Sequence, residues 1–326
     1  MLSRVADSIY WMNRYLERAE NVARFVDVNL NMMLDLPGSA NEQWEPLVQT
    51  TGDELLFRQR FGQATRENVL AFLTFDAGNP NSIFSCLGAA RENARSVRET
   101  ISSEMWEQVN KFYLMVRSAA AAGGVLENAH NFYTEIKMAT HLFMGITDAT
   151  MSHGEAWHFG RLGHLLERAD KTSRILDAKY FILLPRVTDI GTSIDDIQWS
   201  AVLKSTSAFE MYRKHHGRLA PDLVADFLIL DKDFPRSIRS CVVNAEESLH
   251  AIGGSPIGTF NNVAERSLGR VRSELDNTQI QEIVADGMHA FHLELQSKLF
   301  SVGNDLFDTF FATRSAAHST PAVIEQ

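Results

Sequence analysis

Cysteine is nearly absent: 326 residues hold two, Cys86 and Cys241. That excludes a disulfide framework as the source of stability. Each cysteine lies on an apolar helical stripe and reads as a packed small side chain in a reducing compartment. Proline is scarce at eight residues, and none falls between Pro80 and Pro185, which leaves room for long helices. No apolar run reaches the length of a membrane span, and the N-terminus enters an amphipathic pattern with no leader-like hydrophobic stretch. Basic side chains are the minority, 31 against 41 acidic, for a net charge of −10. With no basic stripe, a nucleic-acid surface is not expected. Convincing strand alternation is missing, as are a nucleophile elbow, a phosphate loop and a zinc spacing. The expectation is a soluble cytoplasmic protein with no cofactor, no membrane partner and no nucleic-acid partner.

What is present is a duplication. Leu16-Glu17-Arg18-Ala19-Glu20 recurs as Leu166-Glu167-Arg168-Ala169-Asp170, and the match continues to Arg24/Arg174 and Asp27/Asp177, all at an offset of 150. A second block repeats at an offset of 155: Phe72-Leu73, Pro80, Ser82-Ile83 and Ser85-Cys86 match Phe227-Leu228, Pro235, Ser237-Ile238 and Ser240-Cys241. Trp44 and Trp199 share that second offset. A period this long is not a stacked solenoid. It predicts two related halves, 1–150 and 151–314, facing each other across a pseudo-twofold axis in one helical body. Residues 315–326 lack periodicity and read as a loose tail.

The fold class is all-α. Val5, Ile9, Met12, Leu16, Ala19, Ala23, Val26, Leu30 and Met33 are spaced by four and three, a sustained helical seam that stops at Pro37-Gly38. Asn79-Pro80 is expected to open a second helix, with Pro at its first position. Further helices are expected over 104–121, 126–151, 155–184, 196–215, 218–230, 235–251, 259–276 and 278–312. Breakers fall at Gly123-Gly124, Pro185 to Ser193, and Gly253 to Pro256. This amounts to about six helices in each half.

Beside the apolar seam of the first helix runs a polar stripe: Asn13, Glu17, Glu20, Arg24, Asp27. Its counterpart is Gly163, Glu167, Asp170, Arg174, Asp177. Acids and an arginine thus share one face for about three turns, roughly 15 Å. Glu20–Arg24 and Asp170–Arg174 are i,i+4 pairs in the favoured order. Retention in both copies selects Glu17, Arg18, Glu20, Arg24, Glu167, Arg168, Asp170 and Arg174 as candidate binding residues, with the mates expected to approach one another near the axis. A solvated flank, a buried structural network and a ligand site all remain open readings. A metal is not expected, because Arg24 and Arg174 neutralise the acids that a cation would need. Arg91 and Arg95, on the helix after Pro80, are further candidates for holding a carboxylate or phosphate. Their positions in the second half are Glu246 and His250. The histidines, among them His153, His158, His164, His215 and His216, show no ligand spacing.

The segment Tyr10-Trp11-Met12-Asn13-Arg14-Tyr15-Leu16-Glu17-Arg18-Ala19-Glu20-Asn21 resembles the opening signature of the bacterial alpha-E domain, named for its helices and a repeated Glu-Arg motif. Gly160-Arg161-Leu162-Gly163-His164-Leu165-Leu166-Glu167-Arg168-Ala169-Asp170 resembles its second copy. Asn79-Pro80-Asn81-Ser82-Ile83 and Ala90-Arg91-Glu92-Asn93-Ala94-Arg95 also fit. The likeness runs from Met1 to about residue 312. It departs at Asn13, where glycine is expected, and at His164, where arginine is expected. Alpha-E domains occur fused to or encoded beside circularly permuted ATP-grasp proteins and transglutaminase-like proteins. The resemblance therefore implies an accessory or interaction module of a peptide- or amide-forming system, docking with or presenting substrate to an ATP-grasp-type ligase. The alternative is an enzyme, an amide hydrolase or transferase using the repeated Glu/Arg motif.

Overall fold

The computed structural model describes residues 1–35, 44–123, 128–181 and 193–312. The expected stop at Pro37-Gly38, most of the Pro185 to Ser193 breaker and the 315–326 tail lie outside those residues. Among the described residues there are fifteen α-helices and a closing π-turn, and no strand.

The helix that carries the first seam, α1 (Ser3–Asp35), has 33 residues. Ile9, Met12, Leu16, Ala19, Ala23 and Val26 on its seam are all buried. So are Glu17, Glu20, Arg24 and Asp27 on its polar stripe, so α1 is enclosed on two faces and acts as a central strut. Three short helices follow, α2 (Glu45–Thr51), α3 (Glu54–Arg60) and α4 (Arg66–Thr74), then α5 (Ile83–Ser96), α6 (Ser103–Ala121) and α7 (Ala129–Thr150). The second copy of the motif lies on α8 (Glu155–Phe181), which packs along α1. After it come α9 (Ser193–Ser205), α10 (Phe209–His216), α11 (Pro221–Leu230), α12 (Ile238–Gly253), α13 (Val263–Asn277), α14 (Ile280–Asp286), α15 (Met288–Leu306) and the π-turn Phe307–Phe311. α5 packs on α1 as α12 packs on α8. One continuous set of buried apolar side chains runs from Ala6 to Phe311.

Four sequence expectations change. The helix after Pro80 starts at Ile83, and its N-cap is Ser82, whose hydroxyl accepts from the Ser85 N–H at 3.1 Å. Ser237 caps α12 in the same way through Ser240 N–H at 3.1 Å. The expected 196–215 helix is two, because Ser207 adopts φ 53° between α9 and α10. The expected 278–312 helix is likewise broken at Gly287, whose φ of 106° is closed to residues with a Cβ. Helices α2 to α4 were not anticipated, so seven helices, not about six, precede residue 151. Because both caps are buried, Ser82→Ala and Ser237→Ala should each cost about 1–2 kcal/mol in urea unfolding, with an unchanged slope.

No helix is long and apolar enough to cross a membrane among the described residues. Cys86 and Cys241 are buried free thiols, and burial pushes each up to about 12, so neither is a nucleophile near neutral pH.

Candidate functional site

The crossing of α1 and α8 depends on small residues from α8. A Cβ on Gly163 would run into the carbonyl oxygen of Tyr10, and one on Gly160 would come within 2.7 Å of Asn13 Nδ2. Asn13 folds back onto its own helix, donating to the Ile9 carbonyl at 2.9 Å. The close approach is therefore made by the glycines of α8, and Asn13 fits over Gly160. Gly163→Ala should cost about 1–3 kcal/mol, because the clash is with backbone that cannot rotate away. Thermal unfolding checks this; an unchanged midpoint would show that the helices separate freely.

At this crossing the two copies of the motif pair reciprocally. Arg168 donates to Glu17 through Nε at 2.8 Å and Nη2 at 3.1 Å. Arg18 donates to Glu167 through Nε at 2.7 Å and Nη2 at 3.0 Å. The next turn of each helix adds one more donor. Arg14 Nε reaches Glu167 at 2.8 Å, and its counterpart His164 meets Glu17 through Nδ1 at 3.0 Å. Burial lowers the His164 pKa, Arg168 adds to that, and Glu17 only partly opposes them. His164 is thus a neutral donor where the first copy uses a cation.

One turn further on, each acid is clamped by an arginine of its own helix. Arg24 bonds Glu20 through Nε at 2.8 Å and also through Nη2. Arg174 Nε lies 2.9 and 3.1 Å from the two oxygens of Asp170. Arg236, which enters from just before α12, is buried, and donates to Glu20 at 2.9 Å and to Asn21 at 3.2 Å. Lys171 lies 3.3 Å from Asp170 and 3.7 Å from Glu167. Arg18 Nη1 also donates to Asn81 at 2.6 Å, and Asn81 donates to Asp53 at 2.9 Å.

Burial by itself would raise these carboxyls. For Glu17 it is outweighed by Arg168, His164 and Arg236, and the group is held well below the usual carboxylate range. For Glu167 it is outweighed by Arg18, Arg14 and Lys171, again far below that range. Glu20 is lowered by Arg236 and Arg24, and Asp170 by Lys171 and Arg174. All four acids are therefore ionised near neutral pH. Seven basic side chains (Arg14, Arg18, Arg24, Arg168, Lys171, Arg174 and Arg236) surround them, leaving three more positive charges than negative. The chain as a whole is acidic, so this excess is local.

Four of these cations face a cleft of about 380 Å³ between α1, α8 and α15. Arg14, Arg18, Lys171 and Arg174 line the α1 and α8 side, with the Trp11 ring 5.1 Å from the Arg14 guanidinium, and Leu299, Phe300 and Phe307 line the α15 side together with Gln296 and Asn304. No group of three or more His, Cys, Asp or Glu is placed to hold a metal among the described residues.

Glu17, Arg18, Glu20, Arg24, Glu167, Arg168, Asp170 and Arg174 are thus brought together. Arg91 and Arg95 are not part of this network: Arg91 bonds Asn110 on α6 at 2.8 Å and lies over Trp106 and Tyr113, and Arg95 pairs with Glu92 at the surface. Their counterparts in the second half are buried. His250 bonds Ser255 at 2.7 Å, Ser255 donates to Glu265 at 2.9 Å, and Glu246 takes Arg272. Asp27 and Asp177, at the far ends of the stripes, meet His130 at 2.8 Å and His289 at 2.6 Å. Arg14, Lys171, Arg236 and Asn81 were missed because they stand off the four-and-three stripe. The unlike repeat mates, Arg14 against His164, Lys171 against Asn21 and Arg236 against Asn81, were what marked them in the sequence.

The chain is 23% identical to uncharacterized proteins of Mycobacterium bovis and of two strains of Mycobacterium tuberculosis, over 338 aligned residues and 96% of its own length. It spans only 37% of the length of those relatives. No solved structure matches it. Residues 1–311 match Alpha-E, described as a predicted alpha-helical domain with a conserved ER motif, and Glu-Arg pairs stand in this chain at Glu17-Arg18, Glu167-Arg168 and Glu265-Arg266. The chain, in which the Glu-Arg pairs of α1 and α8 are cross-bonded, belongs to the Alpha-E family.

Proposed function

We propose that this chain is a helical binding module that holds an anionic substrate at the α1–α8 crossing for a partner of the circularly permuted ATP-grasp type. The setting would be a cytoplasmic peptide- or amide-forming system. One observation carries the reading: an acidic protein keeps a cluster of cations in excess of its buried acids and turns four of them to a cleft. Ligases of the ATP-grasp type commonly activate a carboxylate, which is the charge that such a wall attracts. A transglutaminase-like protein is the second partner class that the family resemblance supports. The reciprocal Arg18–Glu167 and Arg168–Glu17 bonds support a duplicated body, with halves 1–150 and 151–314 about a pseudo-twofold axis.

The clamped carboxylates weigh against the enzyme alternative. A general acid or base works best with a pKa near the working pH. Glu17 and Glu167 are buried, each held by guanidinium bonds, and lie far below it. The test is twofold: association of this chain with a circularly permuted ATP-grasp protein, and turnover of aminoacyl and peptide substrates by the chain alone. Saturable association without turnover is expected. Robust turnover that Glu17→Gln or Glu167→Gln abolishes, in a folded protein, would overturn the module reading.

A further inference from the structure

We infer that the cleft between α1, α8 and α15 binds an apolar organic acid, its carboxylate on Arg14, Lys171 and Arg174 and its aliphatic or aromatic part on Trp11, Phe300 and Phe307. The inference rests on the binding-module reading and specifies its ligand.

The cationic wall has donors to spare. Arg174 uses only Nε on Asp170, so among the described residues both its terminal nitrogens lack a partner. Arg14 uses Nε and Nη1, on Glu167 and the Tyr10 hydroxyl, and keeps Nη2. Lys171 has carboxylates at 3.3 and 3.7 Å but makes no hydrogen bond among the described residues. Charge selects the class. Four cations at this cleft (Arg14, Arg18, Lys171, Arg174) meet three carboxylates, counting Asp53 behind Asn81, which leaves one positive charge for a monoanion.

The α15 wall presents exposed rings between the amides Gln296 and Asn304, with Phe300 at 72% and Phe307 at 51% of full exposure. Phe307 opens the π-turn, an uncommon geometry concentrated at functional sites. An apolar pocket with a few convergent polar groups is the usual form of a small-molecule site.

The duplication supplies an independent argument. Asn81 and Arg236 are mates at the offset of 155. In one copy the long Arg236 reaches down onto Glu20 and Asn21 and is itself buried. In the other the short Asn81 turns to Arg18 and Asp53 and lines the cleft. One copy is filled from within, and the other is left open.

The experiment is calorimetric titration of the full chain at low salt with N-acetylphenylalanine, N-acetylphenylalaninamide, acetate and inorganic phosphate. N-acetylphenylalanine should saturate, with the amide and acetate each at least about tenfold weaker. Lys171→Met, which breaks no hydrogen bond, should weaken the acid about tenfold, while Arg95→Gln on the α5 surface leaves it unchanged. Phe300→Ser, at an exposed position where folding is not at stake, should weaken N-acetylphenylalanine and leave acetate as it was. Equal binding of acid and amide, tighter binding of phosphate, no saturation, or indifference to both Lys171→Met and Phe300→Ser would overturn the assignment. No partner enters these titrations. A chain that binds the acid but no ligase keeps the site and loses the module reading, and the reverse result separates them equally.

Discussion

Glu167→Ala is expected to destabilise the protein by about 3–5 kcal/mol, the range for removing one partner of a buried ion pair. Glu167 is fully buried and accepts from both Arg14 and Arg18. Without it, two guanidiniums lose their counter-charge at the α1–α8 crossing while remaining largely out of water. Truncation also leaves a void where the carboxylate was. Glu17→Ala should act in the same direction by stranding Arg168, while His164, itself neutral, loses its bond to the carboxylate. The contrast that isolates the mechanism is a double replacement. Glu167→Met with Arg18→Met removes opposite charges together and should recover part of the loss, since apolar isosteres of buried pairs are often tolerated. Urea unfolding of the singles and the double gives the coupling directly. If Glu167→Ala unfolds at the wild-type midpoint, the network is solvated and contributes nothing to stability.

Stability should fall steadily as the pH drops below about 6.5, well before ordinary carboxylates titrate. The cause is His292 on α15, which is fully buried, has Nδ1 3.1 Å from the Ser173 hydroxyl and has no partner for Nε2 among the described residues. Burial pulls its pKa down to about 3, and neighbouring His289 adds to the shift. The sign follows from linkage. A histidine that is neutral in the folded state and titrates near 6.5 when unfolded binds more protons unfolded, so acid favours unfolding. Its contribution is complete above 6.5 and is lost towards 3, on the order of 4 kcal/mol in all. His141 and His164 are lowered too and act in the same sense.

Below about 4.5 the depressed carboxylates of Glu17, Glu20, Glu167 and Asp170 join in, because their stabilisation is present above the unfolded pKa and is lost as they protonate. The slope should therefore steepen. His292→Phe removes one titration, while Ser173 keeps its bond from Gln296 at 3.2 Å. Between pH 6 and 4.5 the variant should lose about 1.4 kcal/mol per pH unit less than wild type. Parallel curves for the two proteins would show that His292 takes up its proton as readily in the fold as in the unfolded chain.

Much of this architecture was legible one helix at a time. The four-and-three spacing of Ile9 through Val26 marked the buried face of α1, and the duplicated Glu-Arg motif marked the residues that meet on α8. Local periodicity carries that information because it records which side of a helix is apolar and which charges share its other side. The short helices α2 to α4 left no such record, being too brief to build a sustained period. Ser82 was passed over for Pro80 as the start of α5, because a cap is decided by which hydroxyl reaches a free N–H.

The pairing itself lay beyond the sequence. Glu17 could have been satisfied by Asn21 on its own helix and by water; that it also takes Arg168 depends on two helices brought together by Gly163 against Tyr10. Arg236 arrives from more than two hundred residues away, and Phe300 and Phe307 reach the cleft only because α15 packs along α8. A helix face is set by neighbours three and four residues apart, whereas a cleft is set by which faces pack, and that is a sum over the whole core.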